Sequence, residues 1–387
     1  MKRIAFTQIG GSKWMGGLNY QINLLNALLA RQSHRITPVL FLGEDVEPSI
    51  LERYHRITGL VIVRDSLFNQ QKNWFRLFNS MLSGIDYSAL KLFEKHEIDV
   101  AFESASFYGW RFPLKVLAWI PDLQHQRLKH YFGFLTFWKR EIGFRMQLLG
   151  KRHIMLSSED AKRDFQHFYH TASQRLHVAR FAVPVQVPEF DDNHLKVRYE
   201  LPDQFFYLPN QFWRHKNHEC VIRALAIAKQ SGHSLTVVAT GNLNDPRDSE
   251  HFPNLTKLIN SLGLENNFKV LGLIPYQDVQ ALMMSCIALI NPSRFEGWST
   301  TVEEAKALNL DMILSDINVH KEQAGTKARF FNADDTEGLA KILIDIASRP
   351  SEKHLHNTND IGETSLKNMA DFAECFTNIV YKVTEPV

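Results

Sequence analysis

Short apolar runs alternate with segments of helical period along the whole chain. Ile4–Ile9, Ile36–Leu42, Leu60–Val63, Val100–Phe102, Val116–Ile120, Ile154–Ser158 and Val178–Val183 read as buried strands of the first half. Phe205–Leu208, Leu235–Gly241, Phe268–Leu271, Ile287–Ile290, Met312–Ser315 and Arg329–Phe331 do so in the second. Between them lie helical stretches. One reaches about Ala30 with Leu18, Ile22, Leu25, Leu28 and Leu29 on one face, and others span Glu159–Phe168, His218–Gln230, Asp278–Cys286, Thr301–Leu308 and Thr336–Ser348. This βα alternation predicts an α/β chain with two doubly wound parallel sheets and a ligand in the cleft between them. Pro184-Val-Gln-Val-Pro188 reads as an extended linker, which sets the expected division: a first domain over 1–185, a second over 186–364, and a last helix over 365–387 that crosses back.

The second half holds the most informative stretch, Asn291-Pro-Ser-Arg-Phe-Glu-Gly-Trp-Ser-Thr-Thr-Val-Glu-Glu-Ala305. A strand leads into a glycine-containing turn and then a helix start, where Ser299 or Thr300 is available as N-cap with a carboxylate three or four residues later. Such a junction holds anions on backbone N–H groups and the helix dipole. Glu296 falls in the turn and Glu304 about one helical turn in, both able to face one crevice. The plainer alternative makes Glu296 a turn cap and Glu303 and Glu304 solvated helix acids.

Glu296 and Glu304, within Pro-Ser-x-x-Glu-Gly-x-x-x-x-x-x-Glu-Ala, resemble the signature of the retaining, nucleotide-sugar-dependent glycosyltransferases of family 4, which have the GT-B fold. The resemblance implies a hexosyl transfer from a nucleotide diphosphate sugar, used as co-substrate, to a saccharide or lipid-linked acceptor in surface polysaccharide synthesis. It places Glu296 at the donor sugar and Glu304 on the ribose hydroxyls, with Gly297, Trp298, Ser299, Thr300 and Thr301 lining the helix start. Lys216, in a Lys-Asn pair before a helix, would neutralise the diphosphate. Gln211 stands where the family carries arginine, so Arg214 is the substitute cation, and Asn210 lies in the same loop. Gly241 ends a strand at the nucleotide, and Leu273 and Ile274 would touch the base. The glycine loop Gly10–Gly17 implies phosphate contact through Gly16 and Gly17, or else an ordinary βα turn. Pro121 replaces the family's histidine, leaving Asp122, which matches, and His125, expected on an exposed loop, as candidates from that segment. No Asp-x-Asp is present, so no metal is implied. An epimerase or hydrolase on the same scaffold, or a non-catalytic sugar-nucleotide-binding protein, are the alternatives.

Composition adds limits. With 387 residues, 44% hydrophobic content and a formal net charge of +2, the chain has enough apolar material for two cores and no global sign of nucleic-acid binding. Cys220, Cys286 and Cys375 lack metal-ligand spacing and read as buried thiols of a cytoplasmic protein. The N-terminal apolar run is too short for a signal peptide, and nothing approaches the roughly 18 apolar residues of a span. The segment 127–152 interleaves cations with Tyr131, Phe132, Phe134, Phe137, Trp138 and Phe144 against a single acid, Glu141. That composition suits either a helix with a solvated basic edge or contact with an anionic membrane, which would place the protein at the inner face of the cytoplasmic membrane.

Overall fold

A computed structural model describes residues 1–11, 14–30, 35–69, 74–104, 106–150, 152–185, 192–349 and 358–385. The chain divides into two compact units, Met1–Val183 with Leu366–Val387, and Pro184–Ser365. Residues 186–188 of the expected linker lie outside the described residues.

In the first unit the elements run β1 (Lys2–Thr7), α1 (Met15–Ala30), β2 (Ile36–Leu42), α2 (Pro48–His55), β3 (Val61–Arg64), α3 (Trp74–Ser83), α4 (Tyr87–Lys95), β4 (Val100–Glu103), β5 (Lys115–Ile120), α5 (Gln124–Arg127), α6 (Phe134–Leu148), β6 (His153–Leu156), α7 (Glu159–Tyr169) and β7 (Leu176–Val178). The strands form one parallel sheet in the order β3-β2-β1-β4-β5-β6-β7. The apolar run that predicts a strand over Val178–Val183 is a strand only at its start. Ala179 donates its N–H to the Leu156 carbonyl, the chain then leaves the sheet, and Ala179 and Ala182 are apolar because they enter the core.

The second unit continues with α8 (Asp192–Tyr199), β8 (Phe206–Pro209), α9 (His218–Gln230), β9 (Val237–Thr240), α10 (His251–Ser261), β10 (Phe268–Gly272), α11 (Tyr276–Ser285), β11 (Ala288–Asn291), α12 (Thr300–Ala307), β12 (Met312–Ser315), α13 (Asn318–Ala324), β13 (Ala328–Phe331) and α14 (Thr336–Ala347). Its six parallel strands are ordered β10-β9-β8-β11-β12-β13. The order reverses between β8 and β11, which makes their carboxyl ends the switch point where open α/β sheets bind ligands. A last helix, α15 (Thr358–Thr384), sends Phe372, Phe376, Val380 and Val383 into the first unit's core beside Phe6 and Phe102.

Glycines mark two tight junctions. Gly10 turns with φ +70° over the Trp14 carbonyl, too close for any Cβ, and Gly241 with φ +141° passes equally close to the Asn210 carbonyl.

One buried ion pair secures the loop after β4. Arg152 Nε lies 2.7 Å from Glu103, both side chains are almost wholly buried, and Arg152 also donates to the Gly109 carbonyl at 2.7 Å. Burial raises the Glu103 pKa despite the arginine. Removing one partner strands the other charge, so Arg152→Met should lower the unfolding free energy by about 3–5 kcal/mol in urea titration. The double replacement Arg152→Met with Glu103→Leu should recover much of that loss.

Candidate functional site

At the switch point the loops after β8 and β11 are joined by four polar contacts. The side chain of Asn210 donates to Asn291 Oδ1 at 3.2 Å, and the Arg294 amide donates to the His215 carbonyl at 2.8 Å. Asn217, in left-handed conformation as α9 begins, donates to the Pro292 carbonyl at 3.1 Å and the Ala333 carbonyl at 2.8 Å. The fourth contact is ionic: Lys216 Nζ sits 2.6 Å from Glu296 Oε1, with side chains 13% and 9% exposed. So little water reaches the pair that its attraction is weakly screened.

Glu296 and Glu304 respond differently to burial. Burial alone would raise both. For Glu296 burial is still the largest single effect, but the Lys216 charge and hydrogen bond, together with lesser contributions around them, outweigh it and hold the carboxyl down at about 2. Glu304 has, among the described residues, the Tyr276 hydroxyl, donating at 2.6 Å, and burial pushes it up to about 7. Its carboxyl therefore changes charge near neutrality, where the other does not.

The helix start departs from the expected capping. Ser299 occupies the N-cap position, but its hydroxyl is engaged by Asn291 Nδ2 at 3.0 Å and lies 3.1 Å from Thr301 Oγ1. Gln323 of α13 satisfies the backbone instead: its Oε1 accepts from the Ser299 amide and its Nε2 donates to the Ser299 carbonyl and to Glu303. Glu303 and Glu304 are both buried, which removes the reading of them as solvated helix acids. Trp298 is buried under Lys306, Gly297 and Thr301 are half-buried, and Thr300 is exposed.

Other expected residues are distributed unevenly. Arg214 pairs with Asp248 at 3.6 Å on the surface, and its amide donates to Asp245. Arg247, which no sequence motif marks, stacks on Trp213 with its Cζ 5.3 Å from the ring centroid, pairs with Asp245 and reaches His215 Nδ1 at 3.4 Å. No spacing rule flags an arginine thirty residues beyond the loop it joins. Leu273 is exposed and Ile274 half-buried, while Tyr276, two residues on, is the one that touches Glu304. In the first unit Gly16 and Gly17 open α1; a Cβ on Gly17 would lie 2.7 Å from the Trp14 ring, so packing requires that glycine.

His125 corrects its expectation. It is fully buried in α5, not on an exposed loop, with Nε2 3.2 Å from Glu141, and burial lowers its pKa. Glu141 also accepts from Gln126, Arg145 and Tyr169 at 2.6, 2.6 and 2.8 Å. The turn after Pro121 folds the histidine inward under α6, leaving Asp122 half-buried and accepting from the Gln124 amide. Among the described residues no group of three His, Cys, Asp or Glu side chains is placed to hold a metal, and no helix is long and apolar enough to cross a membrane.

The two-sheet architecture has close relatives in shape. The chain superimposes on a glycosyltransferase from Rickettsia africae with TM-score 0.70 and 14% identity, covering 98% of this chain and 97% of that one. Anabaena Alr3699/HepE, solved with UDP and glucose, gives 0.71 and 13%, covering 98% and 100%. The fold is GT-B. Within this GT-B chain, residues 191–363 match the model of the glycosyl transferases group 1. A curated relative, the O-antigen chain mannosyltransferase RfbU of Salmonella typhimurium, is 22% identical over 222 residues, 57% of this chain and 56% of that protein. The alignment thus spans little more than half of the relative's length. Glu296, Glu304, Lys216 and Gln323 all fall inside the matched segment.

The ion pair makes a signed prediction. A carboxyl held at about 2 stabilises the fold above its unfolded value near 4.5, and that contribution is lost as pH falls from there toward 2. In Lys216→Met burial is no longer offset by the lysine and raises the Glu296 pKa, so that variant loses stability as pH rises. The gap in unfolding free energy between wild type and Lys216→Met should therefore widen from pH 4.5 to 7 in urea titrations. A gap independent of pH would mean the two side chains are not paired.

Proposed function

We propose that the protein is a retaining glycosyltransferase that moves a hexosyl unit from a nucleotide diphosphate sugar to a saccharide or lipid-linked saccharide in surface polysaccharide synthesis. One observation carries the reading. Within the segment matching the group 1 transferases, a lysine-paired carboxylate and a carboxyl poised near neutrality stand at the carboxyl ends of β8 and β11. The O-antigen mannosyltransferase RfbU is similar over 222 residues. WaaG, described as a glycosyltransferase of lipopolysaccharide biosynthesis, shares the fold with TM-score 0.57 and 15% identity, covering 97% of this chain and 95% of that one.

In this reading the ribose hydroxyls displace the Tyr276 hydroxyl and donate to ionised Glu304. Lys216 and the first-turn amides of α12 neutralise the diphosphate and the charge it gains on leaving. Glu296, kept ionised, accepts from the sugar and orients Lys216. Arg247 adds positive charge beside His215, with Arg214 further out. These cations leave the reaction without need of a resident metal, so EDTA should not reduce turnover. Release of free sugar, or inversion of the donor, with no acceptor present would instead mark a hydrolase or epimerase.

The acceptor side of the reading includes a membrane. On α6 and its C-cap, Phe134, Leu135, Trp138, Ile142 and Leu149 fall within about 100° of arc, and Phe134, Leu135 and Leu149 are 76%, 82% and 68% exposed. Lys139 lies about 40° beyond one edge of that arc, Arg145 falls inside it and Arg140 stands on the other side of the helix, all three exposed, while the one acid, Glu141, is turned inward. An exposed apolar stripe on a helix that also exposes three cations fits the interface of an anionic bilayer.

Two outcomes follow. Affinity for the nucleoside diphosphate should rise roughly tenfold from pH 6 to pH 8 by calorimetry, because protons compete at Glu304, and Glu304→Gln should abolish that slope. Flotation with vesicles containing anionic lipid should recover wild-type protein, and Phe134→Ser with Leu135→Ser and Trp138→Ser should stay in solution while melting at the wild-type temperature.

A further inference from the structure

His320 is fully buried in α13, just past the carboxyl end of β12. Its Nδ1 lies 3.0 Å from the Ser315 carbonyl oxygen and 3.0 Å from Ser315 Oγ. A carbonyl only accepts, so Nδ1 carries the proton. Ser315 Oγ donates onward to the Ser293 carbonyl at 2.5 Å, in the same loop that carries Glu296. The chain Ser293–Ser315–His320 therefore fixes both the tautomer and the ring plane, and leaves Nε2 with a lone pair.

That lone pair has no partner among the described residues, although the atom is sealed from solvent. Burial first of all, with Lys216 adding to it and Glu296 opposing, holds the ring neutral, its pKa down at about 4. Nε2 is thus an acceptor at any working pH. An acceptor buried without a donor is costly, and a leucine or phenylalanine would fill the same volume without that cost. Two further details argue against simple space-filling. The ring is tied through Ser315 Oγ to the Ser293 carbonyl, in the loop that carries Glu296. And Gln323 of the same helix bonds the Ser299 amide and carbonyl at the start of α12, so α13 adjoins the turn that carries Glu296. His218 also has unpartnered nitrogens, but it lies flat on Phe212 with centroids 4.2 Å apart and is accounted for as packing.

We propose that His320 is a specificity-determining residue of the donor site, its Nε2 accepting a hydrogen bond from one hydroxyl of the sugar being transferred. The inference rests on the glycosyltransferase reading and deepens it: Glu304 would hold the nucleotide, and Glu296 and His320 together would read the sugar. A site built to accept from a hydroxyl rejects analogues that lack it, because the acceptor is then left unpaired.

The test compares nucleoside diphosphate with nucleotide sugar on the full chain. UDP, GDP, ADP and dTDP and their glucose, galactose and mannose conjugates are titrated by calorimetry, and monodeoxy forms of the tightest sugar conjugate follow. His320→Asn keeps a donor toward Ser315 and, being shorter, leaves no acceptor at the position of Nε2. It should bind the nucleoside diphosphate within about twofold of wild type and the nucleotide sugar roughly tenfold more weakly. One monodeoxy analogue should bind wild type roughly tenfold more weakly than its parent, and His320→Asn should not distinguish the two. Equal losses for diphosphate and sugar conjugate, no loss for either, or unchanged discrimination among the analogues would overturn the assignment. Should His320→Asn fail to fold, long-range 1H–15N spectra of the wild type decide: the His320 Nε2 resonance moves on adding the nucleotide sugar and stays on adding the diphosphate alone. Movement with both ligands, or with neither, overturns the assignment. A wild type that binds none of these nucleotides overturns the glycosyltransferase reading itself, a result separate from normal binding with indifferent His320→Asn.

Discussion

A single charged contact, Lys216 to Glu296, sets the character of the second unit at the carboxyl ends of its central strands. The two residues are eighty positions apart and belong to loops that follow β8 and β11, neighbouring strands whose order reverses there. Neither charge is tolerable alone at that depth, since each would be desolvated without recompense. Together they draw the loops into one wall, reinforced by Asn217 on Pro292 and Asn210 on Asn291. Glu304, equally enclosed but met among the described residues by a tyrosine hydroxyl and no cation, shows what the lysine does: the same side chain is held near 2 in one place and near 7 in the other. One carboxyl stays a fixed anion, and the other is left ready to respond to a hydrogen-bond donor.

Most of the framework is readable from periodicity. Parallel strands buried on both faces are continuous apolar runs, and β2, β12 and α9 fall on their predicted bounds because their ends coincide with a change of composition. The runs mislead where apolar residues serve the core without hydrogen-bonding to a sheet, as in Ala179–Val183. Helices α2, α3, α4, α8 and α10 do not stand out in the sequence, being short or mixed in pattern.

The site is legible in part, for a physical reason. A motif records residues close in sequence, so the Glu296 and Glu304 loop and the Lys-Asn pair stand out along the chain. What a motif does not record is who faces whom. Gln323, rather than the serine hydroxyl, satisfies the backbone at the start of α12; Tyr276 rather than Leu273 reaches Glu304; Arg247 enters from a distant loop. His125 illustrates the converse: nearness in sequence to a vacant family position puts it among the candidates, yet Glu141 and Tyr169 hold it inside the first unit. That same network gives α6 its unusual polarity, with Glu141 and Gln147 buried, Phe137 and Phe144 turned onto His125, and Phe134 and Trp138 outside. Composition alone shows the mixture of aromatics and cations but not which side of the helix each takes.

The most direct measurement is a crystal structure of the full chain with whichever of UDP, GDP, ADP or dTDP raises its melting temperature most. The account predicts ribose hydroxyls within hydrogen-bond distance of the Glu304 carboxylate in place of the Tyr276 hydroxyl, with diphosphate oxygens against Lys216 and the first turn of α12. A nucleotide bound elsewhere, with the Tyr276–Glu304 contact intact and Lys216 remote from phosphate, would contradict it.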